Sequence, residues 1–464
     1  MPEASRFIST RGEAPEAGFA EVLLAGLAPD GGLYMPAAWP RLSVAEIASF
    51  KGRRYQDVAL EILSRFAGDS FTTADLKEDI EAAYAGFEKP EIAPLSPMSG
   101  NRYLLELFHG PTFAFKDIAL QILGRLFARA LRRRGGRATV VAATSGDTGS
   151  AAIAALGGLP NIDVFVLHPK GRVSEIQRRQ MTTGGHANVH NIALEGSFDD
   201  AQSIVKGLFA EKEFAREVNL TAVNSINFVR IAAQSVYYFT AAAQLGQPAI
   251  FVVPTGNFGD IFAGEAALRM GLAAKKLVIA TNANDIMARA LNDGVYAPGA
   301  AHHTLSPSMD IQVASNFERA LFEASERDSA WTRAAMENFS RDRRLGLPPP
   351  ILSALRARYD AKSSDDEETL ATINAVAGMS GRIVDPHTAV AISASRKLGF
   401  PEEPVVVLAT AHPAKFADAV TQATGAPPLL PERLERLLSL PEKLEILPNN
   451  LSLIRQFISS RLAA

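Results

Sequence analysis

The chain has 464 residues, more than one hydrophobic core usually supports, and so predicts two or three domains. A formal net charge of −3 argues against nucleic acid or an anionic membrane as the main partner, while 47% hydrophobic and 21% charged residues is the balance of a soluble globular protein. With zero cysteines, disulfides, thiolate metal sites and a cysteine nucleophile are all excluded.

The opening "MPEASRFISTRGEAPEAG" has no apolar stretch of the secretory kind, and no long uncharged apolar run predicts a membrane span. The expectation is a soluble, cytoplasmic protein. Residues 1–95 read as a mainly helical N-terminal domain: "LAPDGGLYMP" is dense in turn formers, and "YQDVALEILSRFAG" and "TADLKEDIEAAYAGF" carry apolar residues at helical spacing. "KPEIAPLSP" reads as a linker into residues 96–430. There a helix is predicted from Lys116 through "DIALQILGRLFARALRRR", stopped by Gly135 and Gly136. Six β-branched runs follow, "ATVVAAT", "IDVFVLHP", "NVHNIALEG", "AIFVVPTG", "KKLVIATN" and "PVVVLATA", separated by helical stretches. Near-continuous apolar strands alternating with helices predict parallel sheet covered on both faces, here as two α/β lobes around a cleft. Ligands bind such sheets beyond the carboxyl ends of the strands. "KSSDDEETL" reads as a solvated loop or helix start, and residues 431–464 as an extension of short helices split by prolines.

The stretches with chemical potential lie at those strand ends. In "HGPTFAFKD", Lys116 stands among Phe113 and Phe115. It can snorkel with its stem on the rings or pair with Asp117; alternatively, apolar surroundings disfavour its charge and leave an amine able to attack a carbonyl. "ATSGDTGSAA" places Thr144, Ser145, Thr148 and Ser150 around a glycine turn at a helix start. That suits a carboxylate or phosphate, or simply a capped turn. "VPTGNFGDIFAG" repeats strand, glycine turn and helix, with Gly256 and Gly259 permitting close approach and Asn257 and Phe258 offering amides to phosphate oxygens. It matches neither the nucleotide P-loop nor the dinucleotide fingerprint. In "VNSINFVRIAAQS", Asn224, Ser225 and Asn227 can cap a helix, or Asn224 and Arg230 can face one acidic group. "VVVLATAHPAKF" ends a strand on Thr410 and His412. No metal site is expected, since His186 and His190 lack the glutamate of H-E-x-x-H, and no G-x-S-x-G elbow supports a serine nucleophile.

Taken in order, "LELFHGPTFAFKD", "ATSGDTGSAA", "NSINFVR", "PTGNFGD", "DPHTAVA" and "LATAHPAKF" resemble threonine synthase, specifically the longer branch of many bacteria and of fungi. With "STRG" and "GLAPDGGLYMP" the resemblance covers nearly the whole chain. It implies the fold of the tryptophan synthase β subunit, pyridoxal 5'-phosphate as cofactor, and conversion of O-phospho-L-homoserine and water to L-threonine and phosphate. It further implies that Lys116 holds the cofactor and moves protons, and that Gly256, Asn257, Phe258 and Gly259 bind its phosphate. Thr410 would meet the pyridine nitrogen. Thr144, Ser145 and Thr148 would lie by the substrate's carboxylate and phosphate, and Asn224 and Arg230 by its phosphate. Asp147 stands where related enzymes commonly carry Asn to donate to the cofactor's phenolic oxygen. A carboxylate cannot donate unless protonated, so its role is open. The expected assembly is a monomer or weak homodimer. The rivals are a dehydratase or β-replacement enzyme on the same fold, a catalytically silent binding protein, and a nucleotide-binding module.

Overall fold

The computed structural model describes residues 5–221, 224–400 and 402–462. All six apolar runs are strands, and they sort into two sheets. One is five-stranded and wholly parallel, in the order Glu445–Pro448, Val189–Glu195, Ile162–Pro169, Ala138–Ala143 and Leu220–Thr221. The other is six-stranded: Tyr359–Ser363, Ala274–Thr281, Ala249–Pro254, Val405–Ala409 and Arg102–Glu106 run parallel, and Leu95–Pro97 closes the edge antiparallel. Burial on both faces explains the unbroken apolar runs; Val405 through Leu408 are at most 1% exposed.

The strands that sequence reading passes over are short or polar. "YDAKS" at one edge carries charge, and "LT" and "LSP" are too brief for a period to register. The tail needs a correction. Its helices Glu432–Leu437 and Leu451–Leu462 form, but between them Glu445–Pro448 adds an edge strand to the five-stranded sheet. Proline is tolerated there because an edge strand leaves one set of N–H groups unpaired. The mainly helical N-terminal part likewise contains a small antiparallel sheet of Ala17–Gly18, Arg6–Ser9 and Tyr34–Pro36. Its helices Tyr55–Ala67 and Thr73–Tyr84 pack into one core with the rest of the chain. Phe7, Phe19 and Phe66 join Phe228, Phe239 and Phe262 in that core.

The predicted Lys116 helix spans Lys116–Arg134 and ends at Gly135 in the left-handed conformation. Three arginines in its last turn complement the negative end of the helix dipole. "KSSDDEETL" opens a helix, Asp366–Ser380, with Asp365 and Glu368 forming a capping box. Helices Asp147–Leu156 and Gly259–Arg269 start just beyond the carboxyl ends of Ala138–Ala143 and Ala249–Pro254. The starts of these helices, of the Lys116 helix and of Phe228–Leu245 supply the groups described next.

Candidate active site

Lys116 is the first residue of its helix, and the segment before it is pinned in place. Ala114 bridges to Ala411 in antiparallel fashion, Phe115 N–H donates to the Thr410 carbonyl at 2.8 Å, and His412 N–H donates to the Phe113 carbonyl at 3.0 Å. Phe113 is fully buried in the left-handed region (φ 58), a strained conformation held by its packing against Ala414 and Leu434. Thr410 is thereby fixed beside the Lys116 turn. The pairing of Lys116 with Asp117 does not occur: Asp117 accepts instead from Thr112, at 2.7 Å from its N–H and 2.8 Å from its hydroxyl. Lys116 Nζ lies 4.8 Å from the Phe115 ring centroid and 3.6 Å from Asp147 Oδ2. Burial, helped by the charges of Lys415 and Arg230, pushes the Lys116 amine below its ordinary value despite the attraction of Asp147.

Asp147 is the hub of the site. Its Oδ1 accepts from Lys415 Nζ at 2.7 Å and from Gln177 Nε2 at 2.8 Å, while Oδ2 faces Lys116 and accepts from Ser308 Oγ at 3.2 Å. Burial alone would raise this carboxyl. Lys415, then Lys116, reverse the effect and hold it far below the usual carboxylate range. With Lys415, Gln177 and Ser308 all donating to it, Asp147 stands here as an acceptor. His387 completes the surroundings. Its Nδ1 lies 2.8 Å from Asp385 Oδ1, and its Nε2 accepts from Ser308 N–H at 3.3 Å, which puts the proton on Nδ1.

The glycine loop is built as a cradle. The N–H groups of Gly256, Asn257, Phe258 and Gly259 have no acceptor among the described residues, and they open onto a helix N-terminus. Phe258 takes the left-handed turn (φ 64), with its ring buried against Phe317 and Tyr359. Gly256 is required by contact, since a Cβ there would come within 2.6 Å of the Ser308 carbonyl. At Gly259 a Cβ would find its nearest neighbour at 3.4 Å, and its backbone is not left-handed. The Asn257 side chain accepts from Ser315 Oγ at 3.1 Å, which ties the loop to Ser225, 3.1 Å beyond.

The threonine cluster divides. Thr144 Oγ1 accepts from Gly146 and Gly149 N–H at 3.0 and 2.8 Å, so its oxygen serves its own turn. Ser150 donates back to the Gly146 carbonyl. The hydroxyls of Ser145 and Thr148 have no partner among the described residues, and both residues are half-buried. In the next cluster Asn227 is the helix cap, Asn224 Oδ1 accepts from Ile226 N–H at 3.2 Å, and the Asn224 amide remains available. Arg230 is 4% exposed, its Nε has no partner, and no carboxylate lies in ion-pair range among the described residues. Burial pushes this guanidinium down to about 10. A buried cation without a counter-ion is costly unless an anion is meant to join it.

Sequence reading missed Lys415, Gln177, Ser308 and Asp260. Asp260 follows the glycine loop, accepts from Tyr237 and Tyr238, and keeps an unpartnered Oδ2; burial raises it to about 7. Only Lys415 had a signal, because it stands beside Phe416 as Lys116 stands beside Phe115.

Three family profiles match the chain: threonine synthase N terminus over residues 6–84, pyridoxal-phosphate dependent enzyme over 92–348, and threonine synthase C-terminal over 388–458. The threonine synthase of Pseudomonas aeruginosa is 48% identical across 98% of both chains. A crystal structure of pyridoxal-phosphate-bound threonine synthase from Brucella melitensis superposes with a TM-score of 0.97 at 48% identity, covering 99% of this chain and 100% of that one. The yeast threonine synthase structure gives 0.94 at 38% identity, over 99% of each chain. With matches that run from end to end, this chain belongs to the threonine synthase family of pyridoxal-phosphate enzymes.

Proposed function

We propose that the protein converts O-phospho-L-homoserine and water to L-threonine and phosphate, the last step of threonine biosynthesis. The observation that carries this reading is Arg230, a buried guanidinium without a partner, near enough to Lys116 to disfavour its charge. The residues present also fit pyridoxal phosphate: unpaired amides at Gly256–Gly259 for its phosphate, an amine at Lys116 for its aldehyde, and Thr410 for its pyridine nitrogen. When bound, the cofactor supplies an electron sink for charge developing at Cα and Cβ of the amino acid.

The chain's own groups do the rest. Lys116 holds the cofactor, yields it to the substrate's amine, and then takes protons in turn from Cα and Cβ. Burial and the neighbouring cations disfavour its charged form, which favours the free amine that this task needs. Arg230 and Asn224 bind the γ-phosphate, and the free hydroxyls of Ser145 and Thr148 reach its oxygens or the carboxylate; Thr144 orients the turn that presents them. Loss of phosphate from Cγ, return of a proton there, addition of water at Cβ and reprotonation of Cα complete the balance. A dehydratase needs no second phosphate site and leaves Arg230 without purpose.

The test is release of inorganic phosphate from O-phospho-L-homoserine with L-threonine as equimolar co-product; phosphate without threonine would overturn the reading. The glycine loop gives a separate check. Gly256→Ala drives a methyl into the Ser308 carbonyl and should weaken pyridoxal-phosphate affinity strongly, whereas Gly259→Ala should be milder. Equal affinities in a cofactor titration would remove the loop from the phosphate site. The proposed organisation is residues 1–95, 96–430 and 431–464, acting as a cytoplasmic monomer or weak homodimer. Among the described residues no helix is long and apolar enough to cross a membrane.

A further inference from the structure

Two lysines, not one, surround Asp147, and the second is the more deeply buried. Lys415 is 1% exposed; its Nζ lies 2.7 Å from Asp147 Oδ1 and donates to the Thr112 carbonyl at 2.8 Å. It stands in the short 3-10 turn Pro413–Phe416, directly after the Thr410 strand end. Lys116 is farther from the same carboxylate, at 3.6 Å. We infer that Lys415 is the permanent counter-ion of Asp147, a positioning residue that leaves Lys116 only the longer, weaker pairing with that carboxylate so that it can enter and leave covalent bonds.

This rests on Lys116 being the cofactor lysine. Each time Lys116 is consumed or released, its charge at Asp147 changes. Were it the sole partner, each such step would strand a fully buried carboxylate, or the carboxylate would hold Lys116 protonated and inert. With Lys415 fixed on Oδ1, Asp147 stays ionised throughout, and Gln177 and Ser308 fill its remaining acceptor sites. Lys415 also repels a proton on Lys116. The charged and titratable groups facing Lys116 are Asp147, Lys415 and Arg230. Asp260 and His387 lie beyond, and Asp117 is turned away toward Thr112. Of these, Lys415 alone is bonded to the carboxylate that competes for Lys116.

The experiment follows the rate of pyridoxal-phosphate uptake by the full-length, cofactor-stripped protein as a function of pH, read by visible absorbance. In Lys415→Met, Asp147 is left to Lys116, so the pH midpoint should rise by about one unit, and uptake at a fixed pH below it should slow roughly tenfold. The double variant Asp147→Asn/Lys415→Met removes both charges and should bring the midpoint back toward the parent's. A structural lysine that merely braced Thr112 would leave the midpoint where it was. An unchanged midpoint in Lys415→Met, or a double variant that keeps the shifted one, overturns the inference. If Lys415→Met does not fold, the double variant should, because no carboxylate is stranded; failure of both overturns it as well. Borohydride reduction and peptide mapping separate this from the underlying reading, since label on Lys415 rather than Lys116 would refute the assignment of the cofactor lysine itself.

Discussion

Lys116→Ala should leave a folded protein that binds pyridoxal phosphate only loosely, shows none of the absorbance of lysine-bound cofactor, and turns over O-phospho-L-homoserine too slowly to follow in a standard assay. Two losses combine. The covalent anchor disappears, and so does the amine that carries protons at Cα and Cβ, a contribution of about 10²–10⁴-fold by itself. Stability should suffer little. Lys116 is a buried amine whose charge burial already disfavours, and Asp147 keeps Lys415 when it is gone. The check is a borohydride-reduced sample with no pyridoxyl lysine, together with a urea midpoint close to the parent's. Exogenous methylamine restoring part of the turnover would show that the proton-transfer role is separable from anchoring.

Arg230→Ala should behave differently in every readout. The cofactor stays bound and coloured, while kcat/KM for O-phospho-L-homoserine falls roughly ten- to a hundredfold, the equivalent of about 1.5–3 kcal/mol for a charge-assisted contact. Arg230→Lys should recover part of this, since a point charge cannot reproduce the two-pronged geometry of a guanidinium on phosphate. Without ligands the sign reverses: the variant removes a buried cation that has no counter-ion, so its urea midpoint should hold or rise. Bleaching of the protein with unchanged turnover by the remaining loaded fraction would assign Arg230 to the cofactor and revive the dehydratase reading.

These two residues were legible in the sequence for different reasons. Lys116 sits in a local arrangement of aromatics, glycine and proline whose oddness is visible in nine letters. Arg230 becomes a site residue only through the ordered set of motifs, because a first-turn arginine ordinarily faces water; here it is buried in a helix, Phe228–Leu245, most of whose residues sink into the shared core. The six strands were legible because burial on both faces leaves no polar alternation to confuse. "YDAKS" and "EILP" were not, since an edge strand takes its conformation from a neighbour that the local sequence does not reveal. Lys415, Gln177 and Ser308 come from three separate segments; Gln177 and Ser308 read locally as ordinary polar residues, and only the neighbouring Phe416 sets Lys415 apart. Their meaning arises only where the fold brings them to one carboxylate.

The strand Glu445–Pro448 has a consequence for how the molecule is born. It pairs with Val189–Glu195, so that edge of the sheet stays bare while the intervening chain is translated, on the order of 10–50 s at about 5–20 residues per second. Leu434, which closes over Phe113 behind the Lys116 turn, arrives equally late. A nascent chain can therefore build most of both sheets yet still lack the side chain that packs behind Phe113, three residues before Lys116. Until Glu445–Pro448 follows, the seven-residue strand Val189–Glu195 is the sheet's edge, where the finished protein presents this short, proline-ended strand. The packing behind the Lys116 turn is accordingly completed only once Leu434 has been made, and a chain stopped before it is expected to lack activity.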